Sequence, residues 1–175
     1  MRLERARERD FEDVRQFYEA VIDGMAGSDY HPRWKKGIYP TDAFFRAAIQ
    51  KGELHIVRLD GAVVGAMVLN HQSSEGYEGV KWALSAQEEQ ITVIHTLAVL
   101  PACHGRGIGR FLVGQAIQTA REGGQRAVRL DVLASNLPAQ RLYAGMGFEY
   151  RETVRLFYEN TGLTDFMLYE FVIQG

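Results

Sequence analysis

Apolar positions change their spacing repeatedly along this chain, and each change marks an element. Leu3–Arg7 alternates loosely and reads as a strand. Phe11, Val14, Phe17, Tyr18 and Val21 then fall at helical spacing behind Asp10, a residue type suited to an N-cap. Residues 23–40 break the pattern with Gly24, Gly27, Pro32, Gly37 and Pro40, and hold Tyr30, His31, Trp34 and Tyr39. Thr41 is placed to cap a short helix carrying Phe44, Phe45, Ala48 and Ile49, closed by Gly52. Leu54–Leu59, Asp60-Gly61 and Ala62–Leu69 read as a hairpin, because Asp-Gly supplies the positive φ angles of a tight primed turn.

Residues 71–90 form a long polar connection containing Tyr77 and Trp82. Ile91–Leu100 is the strongest strand pattern, stopped by Pro101, and a helix follows from Gly107 to Glu122, ended by Gly123-Gly124. Ala127–Leu133 is a further strand. Asn136 caps a short helix with Pro138 in its first turn, ending at Gly145 or Gly147, and strands follow at Phe148–Val154 and Phe166–Ile173. The order β-α-α-β-β-β-α-β-α-β-β predicts a mixed α/β fold with one central sheet.

Composition narrows the class. At 175 residues, 46% hydrophobic, with no repeat or linker, the chain fits one domain spanning 1–175. A net charge of -2 provides no global field for polyanions, so nucleic acid is not an expected partner. The single cysteine, Cys103, excludes an intramolecular disulfide and a cysteine metal cage, which agrees with a reducing cytoplasm. The charged opening MRLERARERD lacks the apolar core of a secretion signal, and no apolar run is long enough to span a bilayer. A cytoplasmic protein without membrane attachment is expected.

Chemistry concentrates in LAVLPACHGRGIGR, residues 97–110, where a strand ends and three glycines precede a helix. The first turn of a helix leaves N–H groups without internal partners, and glycines let a ligand approach them, so this is an expected phosphate or pyrophosphate site. Arg106 and Arg110 would add charge. A Walker loop fails for lack of Gly-Lys-Ser/Thr. A dinucleotide fingerprint fails because its last glycine would fall on Arg110 or Leu112, even though Asp131 lies where a ribose-binding acid would.

A second motif lies downstream. Asn136, Ala139 and Tyr143 follow the pattern N-x-x-A-x-x-x-Y, and Gly147-Phe148 completes it. Together with His104-Gly105-Arg106-Gly107-Ile108-Gly109, which matches Q/R-x-x-G-x-G/A except at His104, this block resembles the GCN5-related N-acetyltransferase (GNAT) superfamily. The resemblance implies a single-domain α/β fold with helices on both faces and a mixed central sheet splayed between two parallel strands. It implies acetyl-CoA as cosubstrate and no metal. Backbone groups of Leu97, Ala98 and Val99 would pair with the pantetheine arm, and residues 104–110, Ile108 among them, would hold the pyrophosphate. Asn136 would hydrogen-bond the cofactor arm, and Tyr143 would protonate the departing thiolate.

Acetyl transfer to an amine also needs a base. Strict alternation would place Val93, His95, Leu97 and Val99 on one face, with His95 the only titratable group on that strand. Its ordinary pKa suits general-base work, either directly or through water. Asp131 reads as structural and Cys103 as packing. Trp34 and Tyr39 are candidates for the acceptor pocket, and Glu78 for attracting a cationic amine. The resulting expectation is N-acetylation of a primary amine on a small molecule, by direct attack, with a homodimer left open. The alternatives are a protein N-terminal or aminoacyl-tRNA acetylator and a catalytically silent acyl-CoA-binding module.

Overall fold

The computed structural model describes residues 1–174. In chain order it contains β1 (Leu3–Arg5), α1 (Phe11–Met25), α2 (Asp42–Gln50), β2 (Leu54–Leu59), β3 (Ala62–Asn70), β4 (Ile91–Val99), α3 (Ile108–Glu122), β5 (Ala127–Leu133), α4 (Leu137–Gly145), β6 (Glu149–Tyr158) and β7 (Gly162–Val172). The seven strands make one sheet in the order β1-β2-β3-β4-β5-β7-β6. Neighbours run antiparallel except β4 and β5, which are parallel.

The element order agrees with the sequence pattern, with shifts at several ends. The first strand stops at Arg5 and a short 3-10 turn, Glu8–Asp10, precedes α1. Asp10 does not cap α1 with its side chain. Its carboxylate instead accepts from the Arg7 N–H at 2.8 Å and pairs with Arg58 at 2.9 Å. Thr41 does cap α2, accepting from Phe44 N–H at 3.1 Å. The last hairpin is longer than expected, running to Tyr158 and restarting at Gly162. Exposed side chains such as Phe157 weaken the apolar alternation there.

Three apolar clusters hold the layers. Ile108, Leu112 and Ala116 of α3 and Tyr143 of α4 pack on one face of the sheet. Val14, Phe17 and Tyr18 of α1 and Phe45 of α2 pack on the other, against Ile56, Ala66 and Val68. Tyr77 and Val80, from the long connection, pack against Val93, Leu133, Phe166 and Leu168. Gly65 is small for a reason: a Cβ there would lie 2.9 Å from Ile108 and 3.1 Å from Leu112, so a methyl would push α3 off the sheet.

Two irregularities of β4 position the site. The parallel ladder joins Ile91 to Ala127, Thr92 to Val128 and Val93 to Arg129, then ends, so β4 and β5 splay apart beyond Val93. On the other side, Val68 pairs with His95 but Ala66 pairs with Ala98, two residues against three. The extra residue is a β-bulge, and Thr96 within it has φ +48°. The expected sharing of one face by Val93, His95, Leu97 and Val99 therefore fails at Thr96. Leu97 and Val99 pack with the α3 cluster, whereas Ala98 packs with the α1 cluster that contains Val68, the cross-strand partner of His95.

Candidate active site

The glycine turn begins where β4 ends. Gly105 and Gly107 have φ +76° and +79°, and a Cβ built on either would meet nothing within 4 Å. Their role is thus backbone conformation and open approach rather than packing. Gly107 is the N-cap of α3, and the first helical bond runs from Phe111 N–H to Gly107 O at 2.9 Å. The N–H groups of Ile108, Gly109 and Arg110 precede that bond and carry the positive end of a 15-residue helix. This arrangement fits a pyrophosphate. The side chains of Arg106 and Arg110 are exposed and line neither cavity described below.

The splay opens a gap that continues from the glycine turn. Leu100 N–H donates to Val64 O at 2.9 Å, so the other end of that peptide, the Val99 carbonyl, faces the gap. Strand groups alternate, and Leu97 therefore also turns its N–H and C=O to the gap while Ala98 turns toward β3. The Val99 carbonyl accepts from His104 Nε2 at 3.0 Å. His104 thus folds back on the strand end instead of pointing along the turn.

Two cavities meet across this gap. One, of about 430 Å³, is bounded by Leu97–Val99, Cys103–Gly105 and Gly107–Gly109. The second, of about 350 Å³, is bounded by His95, Tyr143, Asp131, Trp34, Tyr39 and Tyr158 among others. Pro32, Trp34, Leu97, Asn136, Ala139 and Leu142 line both, so they form one continuous cleft. Asn136 Oδ1 accepts from Ala139 N–H at 3.3 Å and caps α4. Glu78 is exposed and lines neither cavity; Glu75, three residues earlier, does line the second.

His95 Nε2 lies 2.9 Å from Asn70 Oδ1 and 3.1 Å from Gln72 O. A backbone carbonyl only accepts, so Nε2 carries the proton and Nδ1 holds the free lone pair. Burial lowers the His95 pKa below the usual histidine value, with Asp131 opposing the shift. Tyr143 is buried between Phe148 and Tyr169, and burial together with the Asp131 charge pushes its pKa far above the ordinary phenol value.

Asp131 is the residue the sequence did not single out for this site. Continuing the register of Val93 with Arg129 by two residues sets Asp131 across the gap from His95. The Tyr77 hydroxyl donates to its Oδ2 at 3.0 Å, and burial raises its pKa, with Tyr77 and His95 pulling it back. Tyr77 is itself held by the long connection, whose Trp82 Nε1–H donates to Tyr77 O at 3.1 Å. That connection is pinned by a buried ion network. Arg129 pairs with Glu170 at 2.9 Å, donates to Leu84 O at 2.7 Å and lies 4.2 Å from the Trp82 ring centre.

A family model described as the acetyltransferase (GNAT) family matches residues 14–148. The chain belongs to that family. It is 36% identical over 147 residues to an uncharacterised N-acetyltransferase of Methanocaldococcus jannaschii, covering 82% of this chain and 60% of that protein. It is 32% identical over 132 residues to the mycothiol acetyltransferase of Acidothermus cellulolyticus, covering 74% of this chain and 36% of that protein. This GNAT chain therefore spans less than two thirds of the length of either curated relative. Its fold is similar to that of Arabidopsis thaliana NAA60, solved in complex with acetyl-CoA, with TM-score 0.72 and 22% identity over 99% of each chain. Among the described residues of this GNAT domain, no helix is long and apolar enough to cross a membrane. No group of three or more His, Cys, Asp and Glu residues there is placed to hold a metal ion.

Proposed function

We propose that this chain transfers the acetyl group of acetyl-CoA directly to a primary amine of a small molecule. The observation that carries the reading is the continuous cleft. Its glycine-turn end fits the phosphates, its other end holds His95 and Tyr143, and Leu97, Asn136 and Leu142 line both. The aromatic-walled form of the second end, about 350 Å³, supports a small acceptor.

In this reading the N–H groups of residues 105–110 bind the pyrophosphate, and the gap-facing groups of Leu97 and Val99 receive the pantetheine arm like an added strand. His104 then yields its hold on the Val99 carbonyl. The Asn136 carboxamide has its oxygen engaged in the cap, which leaves its Nδ2 end to meet the arm. An incoming ammonium has no lone pair, so it first gives a proton to His95 Nδ1. The amine nitrogen then forms its bond to the acetyl carbonyl carbon, and the C–S bond breaks. Tyr143 donates its proton to the thiolate, and the second proton leaving the nitrogen restores the phenol. Holding both substrates in one cleft supplies the proximity this direct attack needs.

Incubation with acetyl-CoA and a panel of amines over about pH 6–9 tests the proposal, because the neutral, nucleophilic fraction of an amine grows as pH rises across that window. The expected result is thiol release that depends on the amine. Binding of CoA without amine-dependent release would instead make the chain a silent acyl-CoA-binding module.

A further inference from the structure

The acceptor end of the cleft has an unusual charge balance. Its aromatic walls are Trp34, Tyr39, Tyr143, Tyr158 and Phe166. Its carboxylates are Asp131 and Glu75, and among the described residues no lysine or arginine lines it.

The chain treats two carboxylates on this sheet face differently. Glu170, which has 0% exposure, receives Arg129 at 2.9 Å, Arg151 at 3.1 Å and the Ala83 N–H at 2.8 Å. Asp131 lies two positions beyond Arg129 on β5, so both side chains leave the same face of the strand. Register pairs Arg129 with Glu170, but it pairs Asp131 with apolar Leu168. Asp131 receives hydroxyls, those of Tyr77 and Ser74, and faces across the gap an imidazole whose pKa burial lowers. A carboxylate taken out of water without a cation is costly unless a partner arrives.

We propose that the partner is the acceptor's own ammonium, and that the acceptor is a small primary amine with an apolar or aromatic body and no anionic group beside the nitrogen. The inference rests on the acetyl-transfer reading above. Aromatic walls accept both an apolar body and, over a ring face, a cation. An acid group on the carbon bearing the nitrogen would enter a cavity holding two carboxylates and no countercharge. Free amino acids are thereby rejected, while the corresponding decarboxylated amines are admitted. Asp131 is then a substrate-binding residue that docks the ammonium, and His95 takes the proton.

The matched trio phenethylamine, phenylalanine and phenylalanine amide isolates the carboxylate. Wild-type kcat/KM for phenethylamine and for the amide is expected to exceed that for phenylalanine on the order of 100-fold. Asp131→Asn, which keeps a hydrogen-bond acceptor for Tyr77, should raise the phenethylamine KM on the order of 100-fold and leave the acetyl-CoA KM unchanged. Calorimetric titration of phenethylamine without acetyl-CoA reads docking apart from turnover: heat is expected with wild type and none with Asp131→Asn. Equal use of phenylalanine, or equal binding to the variant, would overturn the proposal. An alanine-initiated peptide with higher kcat/KM than phenethylamine would also overturn it and assign the site to polypeptide N-termini. Failure of acetyl-CoA to bind would remove the transfer reading, while the amine titration would still decide this one.

Discussion

The Tyr18 hydroxyl donates to the Thr96 carbonyl at 2.9 Å, tying α1 to the one residue of β4 whose backbone is left-handed. Tyr18 is 1% exposed and stacks on Phe45 at 4.6 Å between ring centres, so the donor is held rigidly. The bulge at Thr96 lets β4 present Leu97 and Val99 to the α3 side while His95 stays on the other. Tyr18→Phe should cost about 1 kcal/mol of stability through the lost buried hydrogen bond. It should also lower kcat about tenfold, because a small misplacement of the strand misaligns both substrates. Thermal unfolding and initial rates read the two effects separately, and a stability loss with unchanged kcat would leave Tyr18 a packing residue.

His95→Gln removes the proposed base and should reduce kcat/KM about 100-fold. In the wild type the neutral imidazole is the active form, and burial lowers its pKa. At saturating amine, where Asp131 is already paired with the ammonium, kcat should therefore rise with pH through a limb lying below the usual histidine value, and the variant should lack that limb. An unchanged pH–rate profile and kcat would assign His95 to the sheet alone.

Tyr143→Phe should lower kcat about 100-fold while leaving the affinity for CoA intact. Because burial and Asp131 raise the phenol pKa, the proton donor stays loaded throughout ordinary assay conditions. No fall in rate attributable to Tyr143 is expected as pH rises toward about 10.

Gly107→Ala places a Cβ on a residue at φ +79° with open space around it. The cost is backbone strain of about 1 kcal/mol rather than a clash. CoA binding should weaken while pantetheine, which lacks the pyrophosphate, binds as before; calorimetry with both ligands makes the comparison.

Asp131→Asn should stabilise the fold by about 1 kcal/mol at neutral pH, a gain of the kind seen when a functional residue is relieved of its duty. The raised native pKa means that wild-type stability is full below the ordinary carboxylate pKa and declines as pH rises through the native value. The difference between variant and wild type should therefore vanish in acid, as denaturant unfolding at several pH values will show.

Much of the fold was legible because local signals agreed with global packing. Thr41, Gly107 and Asn136 each stand at the helix start their chemistry suggests. Two site features were not legible, for physical reasons. A β-bulge depends on the register between Ala66 and Ala98, and nothing local to Thr96 announces it. The approach of Asp131 to His95 depends on a parallel pairing across more than thirty intervening residues, so Asp131, inside a strand, read as structural. Glu78 illustrates the reverse case. Its charge suited the chemistry, but Tyr77 turns inward to Asp131 and its neighbour is left in solvent.

Initial rates over a matrix of acetyl-CoA and amine concentrations test the central claim most directly. Direct attack within one cleft predicts thiol release that requires the amine and double-reciprocal lines that intersect. Parallel lines, or release indifferent to the amine, would contradict it.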